Sequence, residues 1–579
     1  MHYIKRKSNI AYLFLLSVLL LGILLFWGIN KRISYIENLS EEELIDSIEI
    51  CNGINDLYSV NLVNMGEGKY SVFLPNEMND SIVFHFDTFK EICINQSNEI
   101  YNGDRFDSLV CEKPYQVELI GWNENKSAAF ELTIYKTSGL PTIYISTDEK
   151  STEIIDGDKL LQEKAMVMTV DMNGNVECGT SCDLSSRGQT SFYANQKSYN
   201  FSCKKKICPF GLGEGTEWSL LANYKDCMQQ MRNKITFDLA QRLGLLYSPE
   251  SHFCNLYIDG QYRGLYLLTK RDMADVRYSF EMNSRFFDED TYFATAMGYP
   301  IVIKKSKGLS ENEIINISES VTSAVECLLN PEMSDSNLKE YFDFDSWAKY
   351  YILQDFAVQW DLEYNSFKFY RKMNAPQLFA GPVWDFDLAY GELYIGHYPE
   401  LTNKTMWVAD SRKGWLYSLT RSSGFSEILN NIYWNDFEPN LDNYLENVLP
   451  QLIEANKSSI RANCVRWNKS EEDYETAANE LCTWINNRRN FINDYYRNPE
   501  GYSCVTFNFD KWSMTYYVRT GEQLGYLPLP QYGEVDYSSD ENGEISSWVD
   551  ENGDVISGST IIDKDVSFYA CYNEVEGKQ

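Results

Sequence analysis

The sequence WDLEYNSFKFYRKMNAPQLFAGPVWDFDLAYGE, at residues 360–392, contains the polar residues that are most informative about fold and chemistry. Asp361 and Asn365 precede a predicted strand, and Asp385 and Asp387 follow another, so two acidic clusters flank a predicted hairpin. Carboxylate and amide groups bind metal through oxygen only, which suits Mg²⁺ or Mn²⁺ rather than Zn²⁺. The stretch therefore predicts a site for metal-assisted chemistry.

Phosphoryl transfer in protein kinases uses the same set of groups. One Asp orients the attacking hydroxyl, an Asn binds metal, and a second Asp binds metal from a neighbouring loop. The kinase Asn follows its Asp by about five residues, whereas Asn365 follows Asp361 by four. Asp and Asn are also ordinary turn residues, so a turn without a chemical role stays open at this point. The sequence has neither a Walker A motif nor a kinase-type Gly-rich loop.

A site for phosphate groups also needs cations. Arg187 lies in LSSRGQTS and Lys197 lies in NQKSYNF, where a Lys on a strand could reach nucleotide phosphates as it does in kinases. The neighbouring run of three Lys at 204–206 is typical of a solvated strand face. Arg187 and Lys197 are therefore the candidate phosphate-binding residues.

Composition argues against several other classes of protein. Of the 579 residues, 51 are Lys or Arg and 84 are Asp or Glu, and the resulting charge of −33 argues against binding to nucleic acid. The four His residues are far apart and form no H-E-x-x-H pair, which excludes a His-based zinc hydrolase. A hydrophobic fraction of 44% and an aromatic fraction of 15% exclude a mostly disordered chain. A glycosidase built on paired Asp residues is a weaker alternative, because carboxylate separation cannot be read from sequence.

The N-terminus predicts a membrane anchor. Residues 10–29 are 20 consecutive uncharged, mainly apolar residues, flanked by basic residues at 5–7 and 31–32. At about 1.5 Å per helical residue this run spans one hydrocarbon core. It is longer than a usual signal-peptide core and lacks a small-residue cleavage site. We therefore expect a single-pass cell-membrane protein with its N-terminus inside and the bulk of the chain extracytoplasmic.

Fourteen Cys residues in such a compartment can form disulfides. Cys178 and Cys182 lie close in sequence to Cys203 and Cys208, and the two pairs could form a local staple. A zinc site is the alternative, although the C-x2-C spacing of such sites is absent. The sequence leaves the pairing open.

Six strings, in order, resemble the spore-coat protein H (CotH) kinase family, over about 139–497 of this chain. They are LPTIYIST (140–147), SRGQTS with QKSYNF (186–201), WSLLANYKDCMQQMRNKITFDLAQRLG (218–244), YIDGQYRGLYLL (257–268), WDLEYNSFKFYR with VWDFDLAYG (360–391) and RWNKSEEDYETAANELCTWINNRRNFI (466–492). The resemblance implies a secreted, atypical protein-kinase-like fold that uses ATP and Mg²⁺ or Mn²⁺ to phosphorylate a protein hydroxyl, with Ser as the expected acceptor.

The resemblance also assigns roles to the candidate residues. Asp361 takes the position of the catalytic Asp that orients or deprotonates the substrate hydroxyl; Asn365, Asp385 and Asp387 take metal positions; Arg187 and Lys197 face the nucleotide phosphates. Four residues match a family helix motif that we interpret as mainly architectural: Asn223, Asp226, Arg232 and Asn233.

One departure from the family pattern concerns ATP binding. Lys270, in LLTKRD, stands where the family commonly has a Glu that is a candidate partner for the ATP-binding Lys or for metal. Loss of the Lys–Glu ion pair of a kinase normally damages activity. A catalytically degenerate scaffold or surface-binding protein with the same fold is therefore the alternative to an active enzyme.

The C-terminal segment has a resemblance of its own. The strings VTFNF (505–509), LGYLPLP (524–530), SSWVDENGDVI (546–556) and DKDVSFYACYN (563–573) are similar to the internalin-type B repeat, or Listeria–Bacteroides repeat. That module is a small β-grasp-like domain of bacterial surface proteins. The similarity implies a spacer or interaction module without catalytic residues.

Together these features predict an α+β chain with an atypical protein-kinase-like domain between two small β modules. The predicted parts are a signal anchor or transmembrane helix at 1–32, an acidic stalk at 33–51, a small β-domain at 52–136, the kinase-like domain at 137–500 and the β-grasp-like repeat at 502–576. The expected partners are a protein substrate, such as a Ser-rich surface or coat protein, the membrane through the N-terminal helix, and a cell-wall or surface partner through the repeat.

Overall fold

The computed structural model describes the chain from residue 36 to residue 572, with gaps. The described residues are 36, 39–51, 59–78, 81–107, 109–123, 125–137, 139–224, 226, 230–271, 273, 276–283, 285, 287, 291–295, 298–304, 308–359, 361–363, 365–391, 405–469, 474–509, 513–525, 527–528 and 545–572. The predicted anchor at 1–32 lies outside these ranges. Within them, no helix has the length and apolar character needed to cross a membrane.

The described strands lie mostly in the first half of the chain. They are β1 (Glu49–Cys51), β2 (Val60–Asn61), β3 (Val63–Gly66), β4 (Lys69–Leu74), β5 (Ile82–His85), β6 (Glu91–Ile94), β7 (Asn98–Tyr101), β8 (Arg105–Phe106), β9 (Pro114–Ile120), β10 (Lys126–Lys136), β11 (Thr142–Thr147), β12 (Glu163–Val170), β13 (Val176–Arg187), β14 (Ser198–Ile207), β15 (Gly215–Leu221), β16 (Ser251–Ile258), β17 (Gln261–Lys270), β18 (Val276–Met282), β19 (Tyr292–Ala294), β20 (Pro300–Ile303), β21 (Phe367–Lys372), β22 (Phe379–Ala380), β23 (Tyr502–Asn508), β24 (Ser513–Arg519), β25 (Ile545–Val549) and β26 (Val566–Tyr572).

Helices dominate the region between β20 and β23. The α-helices of the chain are α1 (Glu41–Asp46), α2 (Glu153–Gly157), α3 (Arg232–Arg242), α4 (Glu311–Leu329), α5 (Asp335–Tyr341), α6 (Phe344–Phe356), α7 (Val408–Arg412), α8 (Trp415–Thr420), α9 (Ser423–Ile432), α10 (Glu438–Asn443), α11 (Leu449–Arg466) and α12 (Tyr474–Arg497). Single π-helical turns at Tyr433–Phe437 and Tyr444–Val448 connect α9, α10 and α11. Ser40, followed three residues later by Glu43, predicts a capping box at the start of α1. It is present, because Glu43 N donates to Ser40 Oγ and Ser40 N donates to the Glu43 carboxylate.

The first of two compact units comprises Met1–Lys150, Met168–Val176 and Asn255–Arg263. Its strands form two sheets, with the orders β2-β1-β5-β8 and β3-β4-β10-β9-β6-β7, and β11 pairs in parallel with β16. Burial alternates along β9 and β10, as expected for strands that turn one face to a core. The short alternating runs at 70–74, 81–86 and 128–135 predict strands, and these are present as β4, β5 and β10.

A tight turn between β16 and β17 follows its sequence signature. The Asp259-Gly260 dipeptide predicts a type I′ turn, and both residues have positive φ, 50° and 79°. The Asp259 carboxylate accepts hydrogen bonds from the backbone N–H and the hydroxyl of Thr147, at 2.8 and 2.6 Å. These bonds fix the turn against the end of β11.

The second unit comprises Ser151–Val167, Glu177–Cys254 and Gly264–Gln579. Strands β13, β14, β15 and β17 are antiparallel neighbours in one sheet, and a second sheet has the order β19-β20-β18-β21-β22. Cys182 and Cys203 occupy directly paired positions on β13 and β14, and both are buried. The predicted local staple between the two Cys pairs stays a prediction.

Helix α6 lies in the core of the second unit, with 11 of its 13 residues buried. Trp347 of this helix contacts Trp415, Phe367 and Phe369, with ring centroids 6.0, 5.8 and 6.4 Å away. Burial of each such side chain contributes roughly 2–3 kcal/mol. Because nearly all of α6 is buried, the loop that leaves its C-terminal end starts from a fixed point.

The C-terminal sheet has the order β24-β23-β26-β25, with β23 and β26 parallel. Its edge strand β24 contacts the segment 405–412 of the same unit: Trp407 N donates to Thr515 O at 3.1 Å, and Thr515 N donates to Ser411 Oγ at 2.8 Å. The Tyr517 hydroxyl donates to the Asp410 carboxylate at 2.6 Å. This sheet therefore packs against the helical region, which the prediction of a spacer did not include.

Candidate functional site

Two loops carry the predicted catalytic and metal residues. The Asp361 loop (357–366) connects α6 to β21, and the Asp385 loop (381–391) follows β22. The Gln359 side chain joins them, because its Nε2 donates to Asp385 O and its Oε1 accepts from Asp361 N at 3.4 Å. Gln359 is buried, with an exposed fraction of 4%. The structure thus brings together the two acidic clusters that flank the hairpin, through a residue that the sequence analysis missed.

Asp385 is exposed and has a left-handed backbone, with φ 69°. Ser366 Oγ donates to its carboxylate at 2.8 Å. Non-Gly residues adopt this conformation rarely, and Asp and Asn are the residues that tolerate it best. The backbone therefore presents the Asp385 carboxylate at the surface of the loop, where a ligand can reach it.

Asn365 lies at the other end of the Asp361 loop and is buried, with an exposed fraction of 6%. Its backbone N–H donates to Asp361 O at 3.0 Å, which closes the loop into a turn. Its side-chain oxygen Oδ1 is buried and accepts no hydrogen bond within the described part of the protein. A buried acceptor without a donor is costly, and it suits a position where a cation is the partner.

Arg187 ends β13 and faces the Asp385 loop. Burial, and to a lesser degree the positive charge of Arg271, lowers the pKa of its guanidinium to about 10. The carboxylates of Asp385, Glu281 and Asp387 act in the opposite direction and favour the charged form. Since a pKa of about 10 still lies well above 7, Arg187 is a half-buried cation near three carboxylates.

Trp384 connects this cation to the loop. The Arg187 guanidinium lies 5.0 Å from the centroid of the Trp384 ring, and the Lys368 ammonium lies 5.9 Å from the same centroid. Phe237 of α3 stacks against Trp384 at 5.9 Å. Cations over an indole face are stabilised by its quadrupole, so Trp384 holds two cations next to Asp385.

Lys197 makes different contacts. Its Nζ donates to Phe192 O and lies 4.8 Å from the centroid of the Phe192 ring. Phe192 belongs to the 3-10 turn Thr190–Tyr193, between β13 and β14. Lys270, the departure from the family pattern, lies at the end of β17, where its Nζ is 3.5 Å from the Glu250 carboxylate and donates to Leu212 O.

A Lys–Glu ion pair that the sequence analysis missed lies in the second sheet. Glu281 on β18 and Lys368 on β21 are paired in register, and Lys368 Nζ is 2.7 Å from Glu281 Oε2. Burial alone would raise the pKa of Glu281, but Lys368, an Asn283 hydrogen bond and Lys304 lower it below its ordinary value. The available signal was one charged residue among mainly apolar neighbours in each of two stretches, YSFEM (278–282) of β18 and FKFY (367–370) of β21.

Helix α3 holds the Asp385 loop in position. Phe386 N donates to Asn233 Oδ1 at 2.7 Å, and Arg232 Nε donates to Ala389 O at 2.8 Å. Arg232 forms a buried ion pair with Asp226. The fourth residue of the predicted motif, Asn223, accepts from Asn233 Nδ2 at 2.9 Å. The geometry thus agrees with an architectural role, and it specifies the loop that the motif supports.

Two carboxylates around the Asp361 loop cap short helices. Glu363, inside the loop, accepts from Trp415 N and Leu416 N at 2.8 and 2.7 Å, at the start of α8. Asp355, near the end of α6, accepts from Val408 N at 2.7 Å and from Ala409 N, at the start of α7. Because each carboxylate satisfies backbone donors that the helix leaves unpaired, the loop is anchored on both sides.

Asp355 predicts a pH-dependent contribution to stability. Burial raises the pKa of its carboxyl to about 7, against the opposing charge of Arg488. The folded state therefore holds this proton more tightly than the unfolded chain, whose Asp pKa is near 3.8. The stabilisation is complete below the unfolded pKa and is lost as the pH rises through about 7.

We therefore expect the melting temperature of the wild type to fall relative to that of Asp355→Asn between pH 5 and pH 8, because Asn cannot titrate yet keeps an acceptor oxygen. Differential scanning fluorimetry of both proteins across this range measures the difference. A difference that stays constant with pH would contradict the assignment.

Both loops of the site lie within the part of the chain that matches a known protein family. The model of the family described as CotH kinase protein matches residues 184–492, which is more than half of the chain and spans both loops. Among solved structures, the Helicobacter pylori proinflammatory kinase CtkA is similar at 12% identity with a TM-score of 0.22, over 51% of this chain and 94% of that one. The comparison with curated proteins gives no match.

Proposed function

Because this chain belongs to the CotH kinase protein family, we propose that it is a protein kinase that transfers the γ-phosphate of ATP to a hydroxyl group of a protein, with Ser as the acceptor. The observation that carries the proposal is the joining of Asp361 and Asp385 by the buried Gln359 side chain. Phosphoryl transfer depends mainly on positioning and electrostatics, and Gln359 fixes the relative position of the two loops.

Asp361 has the role of the catalytic residue in this proposal. Its carboxylate orients the acceptor hydroxyl and takes its proton as the oxygen attacks the γ-phosphorus. The bond between the γ-phosphorus and the β–γ bridging oxygen breaks, and the electron pair leaves with ADP. Asp361 is half-buried, and the Asn365 N–H bond to its carbonyl holds the turn in which it lies.

Asn365, Asp385 and Asp387 would hold Mg²⁺ or Mn²⁺. A bound divalent cation would neutralise charge on the phosphate oxygens of ATP. The buried, unpartnered Oδ1 of Asn365 fits such a role, as does the exposed carboxylate of Asp385. Among the described residues, no group of three or more His, Cys, Asp or Glu side chains could hold a metal. A site of two carboxylates and one amide oxygen does not need a third acidic residue.

Arg187 would bind the phosphates of ATP. Its guanidinium is held by Trp384 and lies near the Asp385 and Asp387 carboxylates. Guanidinium–phosphate hydrogen bonds are among the strong ones because both partners are charged. Arg187 thereby places ATP against the same loop that would bind the metal.

The proposal extends to the location and partners of the protein. We propose that the segment 10–29 anchors it in the cell membrane with the kinase-like domain outside the cytoplasm, where a Ser-rich surface or coat protein is the substrate. The C-terminal module at 502–576 would engage a cell-wall or surface partner. The 20 uncharged residues between two basic flanks support the anchor. Protease treatment of intact cells tests the orientation, since only an external domain is degraded.

The proposed reaction is tested with the full chain in detergent, Mg²⁺ or Mn²⁺, and ATP labelled at the γ-phosphate. We expect label on the protein itself or on casein-like acceptors, at Ser, and a rate at least about 100-fold lower for Asp361→Asn because a general base is lost. Equal labelling by Asp361→Asn would contradict its role. An unlabelled wild type whose melting temperature ATP does not change would favour the scaffold alternative.

A further inference from the structure

The Lys368–Glu281 ion pair lies beside the candidate site. Lys368 follows Asn365 by three residues on the strand that leaves the Asp361 loop. Its ammonium is 2.7 Å from the Glu281 carboxylate, and the two side chains have exposed fractions of only 21% and 9%. The strand pairing of β18 with β21 sets both residues opposite each other. The ammonium therefore has a fixed position, close in sequence to a proposed metal residue.

The surroundings of Lys368 are those of a phosphate site. Its ammonium lies 5.9 Å from the Trp384 ring centroid, and Arg187 lies 5.0 Å from the same centroid. Trp384 immediately precedes Asp385. Two cations thus share one aromatic side chain at the start of the loop that would hold the metal. Both cations are only partly buried, so an anionic ligand can reach them beside the loop that would hold the metal.

Stability alone does not account for the pair. Burying two charges costs nearly as much free energy as their attraction returns, so a buried ion pair adds little net stability. In protein kinases, a Lys held by a Glu binds the nucleotide phosphates, and the pair must be in place for activity. Lys368 and Glu281 reproduce this arrangement, although the sequence has Lys270 at the position where the family has a Glu.

Lys197, the Lys that the sequence suggested, has its ammonium directed at a different group. Its Nζ donates to Phe192 O and contacts the Phe192 ring. Both contacts tie Lys197 to the 3-10 turn between β13 and β14, and they account for its position as a support of that turn.

We propose that Lys368, rather than Lys197, supplies the ammonium group that binds the phosphates of ATP, and that Glu281 positions it. This assignment rests on the proposed kinase function and names the residue that recognises the nucleoside triphosphate. Lys368 then contacts ATP directly, whereas Glu281 acts through Lys368.

Steady-state kinetics of the full chain test the assignment. We expect Lys368→Met to raise KM for ATP by about 10- to 100-fold, the range for loss of a charge-assisted hydrogen bond, and to leave KM for the protein acceptor within about twofold. Lys368→Arg keeps the charge and recovers most of the affinity. Lys372→Met is the matched control, because Lys372 lies on the same strand but contacts the Phe379 ring, 4.1 Å away. Its KM for ATP stays within about twofold of the wild type.

A double variant separates a phosphate-binding role from a structural one. Lys368→Met leaves Glu281 buried without its cation, so this variant alone lowers the melting temperature. Lys368→Met/Glu281→Gln removes both charges and restores the melting temperature. We expect the double variant to keep the raised KM for ATP. Recovery of KM together with stability would overturn the proposal.

The outcome for Lys197 distinguishes this proposal from the proposed function. If the wild type transfers phosphate and Lys197→Met raises KM for ATP more than Lys368→Met does, the Lys368 assignment is wrong while the kinase function stands. If the wild type transfers no phosphate, the kinase function is wrong. The rise in melting temperature that ATP causes then tests Lys368 separately. The assignment is supported if ATP raises the melting temperature of the wild type and of Lys197→Met but not that of Lys368→Met. It is overturned if ATP has no effect on the wild type, or if Lys368→Met keeps the rise.

Discussion

Changing Asp385 to Asn is expected to reduce phosphotransfer by about 10³-fold while leaving the fold intact. The substitution removes a negative charge from the proposed metal site, and loss of preorganised electrostatic stabilisation has effects of this size. Asn tolerates the φ of 69° at this position, and its oxygen can still accept the hydrogen bond from Ser366. The loss of activity is therefore separated from any strain in the loop. Initial rates with labelled ATP, over a titration of Mg²⁺, measure it.

Asp259→Asn is the matched control for this prediction. Asp259 has a φ of 50°, so the same chemical change occurs in the same backbone conformation, within a turn for which Asn-Gly is equally suitable. We expect its activity to stay within about twofold of the wild type. If Asp385→Asn kept more than about a tenth of the activity at saturating Mg²⁺, Asp385 would not be a metal residue.

Changing Arg232 to Leu is expected to lower the free energy of unfolding by about 3–5 kcal/mol, the usual cost of leaving one partner of a buried ion pair uncompensated. Asp226 has an exposed fraction of 0% and Arg232 of 3%, so water cannot replace the lost guanidinium. The same change removes the donor to Ala389 O that supports the Asp385 loop. Urea denaturation followed by Trp fluorescence measures the difference.

The double variant Asp226→Asn/Arg232→Leu checks the electrostatic cause. Without the Asp226 charge, no uncompensated carboxylate is buried, so the double variant is expected to recover part of the lost stability. A loss below about 1 kcal/mol in Arg232→Leu, or no recovery in the double variant, would show that the ion pair is not what supports this region.

The candidate site divides into residues that the sequence could predict and residues that it could not. Asp361, Asn365 and Asp385 lie beside the ends of predicted strands, and a local pattern of polar residues beside apolar runs is enough to find them. Gln359 could not be found in this way. Its function depends on two loops that the sequence separates and the fold brings together, and a lone Gln after a helix carries no distinguishing pattern.

Strand register sets a second limit on prediction. Glu281 and Lys368 are 87 residues apart, and they meet only because β18 pairs with β21 in one register. A shift of one residue in this register would place the two side chains on opposite faces of the sheet. Neither strand by itself specifies its partner. The sequence therefore identified Lys197, which lies in a recognisable local motif, as the phosphate-binding Lys. Within residues 52–136, by contrast, short alternating runs were sufficient to predict the strands β4, β5 and β10.

The packing of the C-terminal sheet against the segment 405–412 changes how the chain can be cut into parts. A fragment that ends at residue 500 would look complete by sequence, since it keeps every candidate catalytic residue. It would nevertheless lack Thr515 and Tyr517 of β24, which are hydrogen-bond partners of Trp407 and Asp410. These two residues lie at the start of α7 and within it, and α7 is also the helix that Asp355 caps. The C-terminal sheet is thus a packing partner of the helical region, and we expect a fragment without it to expose the 405–412 segment and to lose stability.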